Sequence, residues 1–237
     1  MSLFLNAIAP LALATSGAVE QAELLLAQRQ PDEAFEVIET AAGEGDAEAM
    51  TLLATFYEHG IHVRSNPGRA AQLFKEAAKL GNSDAQWRLG VLIDARRGVS
   101  APQSTAIKLF QASAKQGNAK AHVSLGIMYS LGRGVEQDHK RALDHFRRAA
   151  RMGESHAFNE IGVVYLAGEG VDADPVEATA WFFVAMLMGD ESGAENLAEM
   201  FDRLDERAVR RASYRAAQIA EEYKRGGSHE SVGVDIG

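Results

Sequence analysis

Cysteine is absent from the 237-residue chain, so it has no disulfide framework, thiolate metal site or cysteine nucleophile. That absence suits the cytosol and the periplasm equally. A surplus of positive charge is missing too. The 24 Lys and Arg stand against 33 Asp and Glu, a formal net charge of −9. A chain of that sign is a poor general ligand for polyanions, and no nucleic-acid partner is expected. No apolar run is long enough to cross a bilayer as a helix. The nearest approach is residues 1–16, MSLFLNAIAPLALATS, which Pro10 interrupts. A secretory signal wants a basic start, and the first Lys or Arg is Arg29. Ala12-Leu13-Ala14 nevertheless has the form of a cleavage site. Residues 1–16 are expected to form an apolar N-terminal cap, with a cleaved signal as the alternative. The first reading favours the cytoplasm, the second the periplasm or secretion.

What the chain has is a period. KLGNSDAQWRLGVLIDARRGV (from Lys79), KQGNAKAHVSLGIMYSLGRGV (from Lys115) and RMGESHAFNEIGVVYLAGEGV (from Arg151) align without a gap. Gly45, Gly81, Gly117, Gly153 and Gly189 recur at intervals of 36 residues, the mark of a stacked repeat array. Hydrophobic residues at 46% and charged residues at 24% are ordinary for a folded soluble chain and exclude a disordered one.

Each unit starts a helix A just after its anchor glycine, as at Gly117-Asn118. Ala49, Ala85, Ala121 and Ala157 are followed by Leu53, Leu89, Leu125 and Ile161. Next come Ala54, Gly90, Gly126 and Gly162, then Tyr57, Ile93, Tyr129 and Tyr165. Offsets of four, one and three put these on one helix face, so they read as packing positions. The small residues would let a neighbouring helix backbone come close. The loops LGRGVEQD (131–138) and AGEGVDAD (167–174) carry two glycines for a tight reversal and a valine turned onto the core. The loop is degenerate at 59–66, and Arg96 replaces one of its glycines. Helix B carries Ala70, Ala106, Ala142 and Ala178, with Phe74, Phe110, Phe146 and Phe182 four residues on. A helical hairpin precedes these units, with Ala22 and Leu25 on its first helix and Ala34, Phe35 and Ile38 on its second. In the last unit Leu197, Ala198 and Phe201 keep register. A longer helix over 205–225 then shows Ala208, Ala212, Ala216, Ile219 and Tyr223 inward and Arg207, Arg211, Gln218 and Glu222 outward. Six helical hairpins and no sheet are predicted.

No constellation of reactive groups emerges. His59 and His62 share a loop without a third ligand and read as solvated histidines, not a metal site. The loop G-x-G follows a helix, lacks a third glycine and is repeated, so it is no nucleotide fingerprint. Ser124 and Ser130 lack a nucleophile-elbow context. No catalytic residue, cofactor or metal is expected.

The pattern A-x-x-x-L-G-x-x-Y-x-x-G-x-G-V-x-x-D, then A-x-x-x-F-x-x-A-A-x-x-G, resembles the Sel-1-like repeat family, a tetratricopeptide relative. The resemblance is strongest over 117–189 and implies an all-α, right-handed α-solenoid of helix-turn-helix repeats. On that reading 17–44 is a tetratricopeptide-like capping hairpin and 45–188 holds four repeats. Residues 189–225 form a degenerate repeat that caps the C-terminal end, and 226–237 form a flexible tail. Family members typically act as adaptors in protein complexes, including bacterial signalling and envelope regulation. The resemblance therefore implies a non-catalytic protein-interaction scaffold, with a hydrolase or small-ligand-binding variant of the fold as the alternative.

The tetratricopeptide analogy also implies a concave groove lined by the A helices. It places Glu48, Thr51 and Glu58 there, then Asp84, Trp87, Val91 and Asp94, then Lys120, Val123 and Ile127, and finally His156, Asn159 and Val163. Trp87 stands out, because the equivalent positions are Thr51, Val123, Asn159 and Glu195. Tryptophan is over-represented among interface hot spots. The expected partner is a protein or peptide segment, apolar with a basic flank, anchored on Trp87.

Overall fold

The computed structural model describes residues 17–97 and 99–227, which form twelve α-helices and no strand. The expected segment 1–16 and residues 228–237 of the expected tail 226–237 lie outside the described residues, while residues 226 and 227 of that tail belong to the last helix. The chain divides between Ser113 and Ala114 into two compact units. The first contains α1 (Ala18–Ala27), α2 (Pro31–Gly43), α3 (Ala47–His59), α4 (Pro67–Lys79) and α5 (Ser83–Asp94), with most of α6 (Gln103–Lys115). The second contains α7 (Ala119–Leu131), α8 (His139–Arg151), α9 (Ser155–Ala167), α10 (Pro175–Leu187), α11 (Glu191–Arg203) and α12 (Glu206–Gly227).

Local chemistry explains why the helices begin and end where they do. Asp46, Asn82, Asn118 and Asp190 cap α3, α5, α7 and α11, each side chain accepting a backbone N–H one turn inside. Pro31, Pro67 and Pro175 open α2, α4 and α10, where a missing N–H costs nothing. The anchor glycines lie at φ between +83° and +100° with open space where a Cβ would be. They are glycines for backbone conformation and not for room.

Packing then joins each helix to the next. In the first unit α1 pairs with α2, α2 with α3, α3 with α4 and α4 with α5. In the second, α7 pairs with α8, α8 with α9 and α9 with α10, while α10 also receives α11 and α12. The closing helix α12 reaches back to α8, and its Ala212, Ala216 and Ile219 join Phe158 and Trp181 in one buried cluster. The small residue of helix A admits more than the neighbouring backbone that the sequence suggests. A Cβ built on Gly90, Gly126 or Gly162 would lie 2.5, 2.4 and 2.5 Å from the ring of Phe110, Phe146 and Phe182 respectively. The glycine receives a phenylalanine ring of its own hairpin, and at Gly162 the backbone carbonyl of Ala178 also comes within 3.1 Å of that Cβ position.

That pairing also corrects the last unit. Ala198 holds the small-residue position, but twenty positions on, where a phenylalanine is needed, stands the exposed Gln218. Ala198 is accordingly exposed. Phe201 is 45% exposed although its ring meets Phe183 at 5.6 Å. Leu197 is buried.

Candidate functional site

In the first unit the expected residues lie on α3 and α5, the helices whose caps have just been described. Glu48 is exposed in the first turn of α3, Glu58 is half-buried, and Thr51 is buried with its hydroxyl donating to the Ala47 carbonyl at 2.7 Å. On α5, Trp87 is half-buried, Val91 is 38% exposed, and Asp84 and Asp94 are half-buried.

Arg88, which the sequence reading passed over, organises this face. Its Nε donates to Asp84 Oδ2 at 2.7 Å and its Nη1 to Glu58 Oε2 at 3.4 Å. The guanidinium carbon also stands 5.6 Å from the ring centroids of both Trp87 and Phe74, within cation–π range. One cation therefore ties two of the expected acids to the tryptophan. A signal was present, since the residues equivalent to Arg88 are Leu52, Ser124 and Glu160.

In the second unit Lys120 is exposed, Ile127 is half-buried and Val163 is 40% exposed, whereas Val123 and Asn159 are buried. His156 is held by two carboxylates, with Nε2 3.2 Å from Glu160 Oε1 and Nδ1 3.1 Å from Asp190 Oδ2. The hydrogen bond to Glu160 is the main cause that raises its pKa to about 9, the pairing with Asp190 adds to it, and burial opposes it. Asp190 also caps α11 through Oδ1, 2.7 Å from Gly193 N. Asn196 donates to Asn159 Oδ1 at 2.7 Å. This polar knot links α9 to the start of α11.

A second histidine cluster spans the hairpin of α7 and α8. His122 Nδ1 and His145 Nδ1 lie 3.0 Å apart, so one donates to the other. The His145 ring stacks on Tyr129 at 5.6 Å and 9°. Burial, then His122 and Arg148, lowers His145 to about 4; burial and Arg148 lower His122. Neither residue follows from sequence spacing. Among the described residues no three His, Cys, Asp or Glu side chains gather to hold a metal. The loop histidines differ from expectation in one respect: His62 Nε2 meets Asp32 Oδ1 at 2.9 Å and its ring packs near Phe35, joining the loop to α2. No described helix is long and apolar enough to cross a membrane.

Paired helices repeating every 36 residues, three of the hairpins closed by a phenylalanine ring on a glycine, define an α-solenoid repeat protein. The Sel1 repeat model matches residues 47–82, 83–118, 119–154 and 156–190, and the chain belongs to the Sel1 repeat family. Members of that family are generally non-catalytic protein-interaction scaffolds. A protective antigen of uropathogenic Escherichia coli strains with an SLR fold is similar at 26% identity and a TM-score of 0.78. That match covers 93% of this chain and 49% of the antigen chain, so the present chain spans about half its length. A Sel1 repeat protein from Oxalobacter formigenes is similar at 27% identity and a TM-score of 0.70, covering 90% of this chain and 84% of the other. An immunity protein from Pseudomonas aeruginosa, at 22% identity and a TM-score of 0.52 over 82% and 72% of the two chains, shares the fold. No curated protein matches the chain.

Proposed function

We propose that the chain is a non-catalytic adaptor that binds an apolar segment of a partner protein on its A helices, with Trp87 as the anchor. Adaptors of this kind serve bacterial signalling and envelope regulation, and that is the setting proposed here. One observation carries the reading. Of the equivalent residues Thr51, Val123 and Asn159 are buried and Glu195 is exposed, while the larger, apolar Trp87 ring is half-buried beside the exposed Val91. A half-buried aromatic held beside a guanidinium, as Trp87 is beside Arg88, is a preorganised contact.

The buried Thr51 supports the A-helix face of the first unit from beneath, and the buried Val123 and Asn159 support that of the second. Glu48 and Val91 supply surface a partner can touch in the first unit, and Lys120, Ile127 and Val163 do so in the second. A basic flank on the partner would compete with Arg88 for Glu58 and Asp84 and would meet Glu48 directly.

The test is to capture a partner with the wild-type chain and titrate it against Trp87→Ala. Loss of a tryptophan anchor costs about 2 kcal/mol or more, which is about a thirtyfold rise in Kd. Asp84→Ala and Asp94→Ala should mainly change the salt dependence of association. If Trp87→Ala lowers the melting temperature and leaves partner affinity unchanged, Trp87 is a packing residue and this assignment fails.

A further inference from the structure

A second break in the repeat lies at the end of helix B, within the second unit. Lys79, Lys115 and Arg151 occupy equivalent positions 36 residues apart, and the next in the series is Leu187. Three basic residues give way to a leucine that is 70% exposed. Met188 beside it is 47% exposed and Met152 is 39% exposed. An apolar side chain left in water where the shared fold is served by a cation does nothing for the repeat itself.

These residues border a half-open cavity of about 630 Å³ between the ends of α8 and α10, the start of α9 and the outer half of α12. Its floor is Phe158, Val184 and Ala220, and Trp181 packs behind Phe158 and Tyr223 at ring distances of 6.1 and 5.5 Å. Its charged edge is Arg151 and Lys224, with the Tyr223 hydroxyl group among the few other polar groups of the lining. Lys224 makes a loose surface pair with Glu221 Oε1 at 3.8 Å.

We propose that this cavity binds an anionic amphiphile, a medium- or long-chain carboxylate whose alkyl chain lies on Phe158, Val184 and Leu187 and whose head group meets Arg151 and Lys224. Its volume falls in the range of about 300–1,000 Å³ usual for small-molecule sites. The wall is mostly apolar, its polar groups gathered at Arg151, Tyr223 and Lys224. A peptide entering it would leave backbone N–H and C=O groups unpaired at a cost of about 1–3 kcal/mol each, and an alkyl chain has none to satisfy. The cationic edge then selects the sign of the head group. The site is separate from the Trp87 face, and either reading can fail without the other.

The experiment titrates sodium dodecanoate, kept below its micelle concentration, into the full chain carrying Trp87→Phe, which leaves Trp181 as the single tryptophan reporter. A saturable change in Trp181 emission is expected. Dodecyltrimethylammonium, with the same chain and the opposite charge, should bind at least about tenfold more weakly. Arg151→Glu with Lys224→Glu should reverse that preference, a result that a purely apolar cleft would not produce. Ala220→Phe should fill the cavity and abolish the signal while circular dichroism and melting temperature stay near those of the parent. No saturable signal with dodecanoate, equal binding of the two head groups, or undiminished binding to a folded Ala220→Phe variant would each overturn the proposal.

Discussion

The ring of Phe146 occupies the place where a side chain on Gly126 would begin, since a Cβ there would stand 2.4 Å from Phe146 Cε1. Both residues are buried, Phe146 to 1% exposure, so neither has room to yield. The same lock recurs between Gly90 and Phe110 and between Gly162 and Phe182.

Two opposing effects meet at Gly126→Ala. Helix propensity favours alanine by about 1 kcal/mol, whereas overpacking a well-filled core costs about 1–3 kcal/mol. The short contact makes the second larger, so the variant should be less stable in urea unfolding, and Gly126→Leu less stable again. Phe146→Ala removes the ring and should cost about 3–5 kcal/mol. In a Phe146→Leu background the penalty of Gly126→Ala should shrink. Additive losses would show that the two residues do not interlock.

Arg96 sits at φ +53°, where the equivalent Gly60, Gly132 and Gly168 lie at +69°, +64° and +72°. An L side chain in this region costs about 1–2 kcal/mol, and a glycine's extra freedom in the unfolded chain returns part of that. Arg96→Gly should therefore stabilise the protein by about 0.5–1 kcal/mol. A lower melting temperature for this variant would show that the Arg96 side chain contributes more than its backbone costs.

His156 should make stability fall at alkaline pH. Its folded pKa of about 9 exceeds the ordinary value of 6.5, so between those values the folded state holds a proton that the unfolded state has released. The stabilisation is fully present below 6.5 and is lost as pH rises through 9. The melting temperature should drop over this window in the wild type and less in His156→Gln. Parallel curves for the two proteins would refute the linkage.

His145 acts on the acid side with the opposite sign. Its folded pKa of about 4 lies below 6.5, so the unfolded state takes up the proton first. Stability should fall as pH drops from 6.5 towards 4. Replacing His145 with glutamine should flatten that limb of the melting curve. An unchanged acid limb would place the acid sensitivity elsewhere.

Much of the fold was legible because the information is local and repeated. Alanine, leucine and glycine at offsets of four and one set one face of one helix, and a period of 36 residues copied that face from unit to unit. Errors came where the reading crossed from one helix to another. Spacing along helix A does not show that its glycines admit a ring twenty positions away, with a backbone carbonyl beside it at Gly162, or that the loss of that ring at Gln218 leaves Ala198 exposed.

The candidate site was less legible for the same reason. Sequence spacing placed Trp87 on the right helix and marked it as a departure from its own repeat. It could not show that Arg88 reaches Glu58, thirty residues earlier, or that His122 meets His145, because those contacts depend on how two helices cross. Nor could it show that Thr51, Val123 and Asn159 are buried where Trp87 is half-open, since exposure follows from the size of each side chain against its neighbours. By itself the sequence determined the helices, their period and their buried faces, because each depends on residues within a turn or two of one another. Only the tertiary structure decided which charges are paired, which rings are covered and where an apolar cavity opens, because each of those depends on side chains brought together from separate helices.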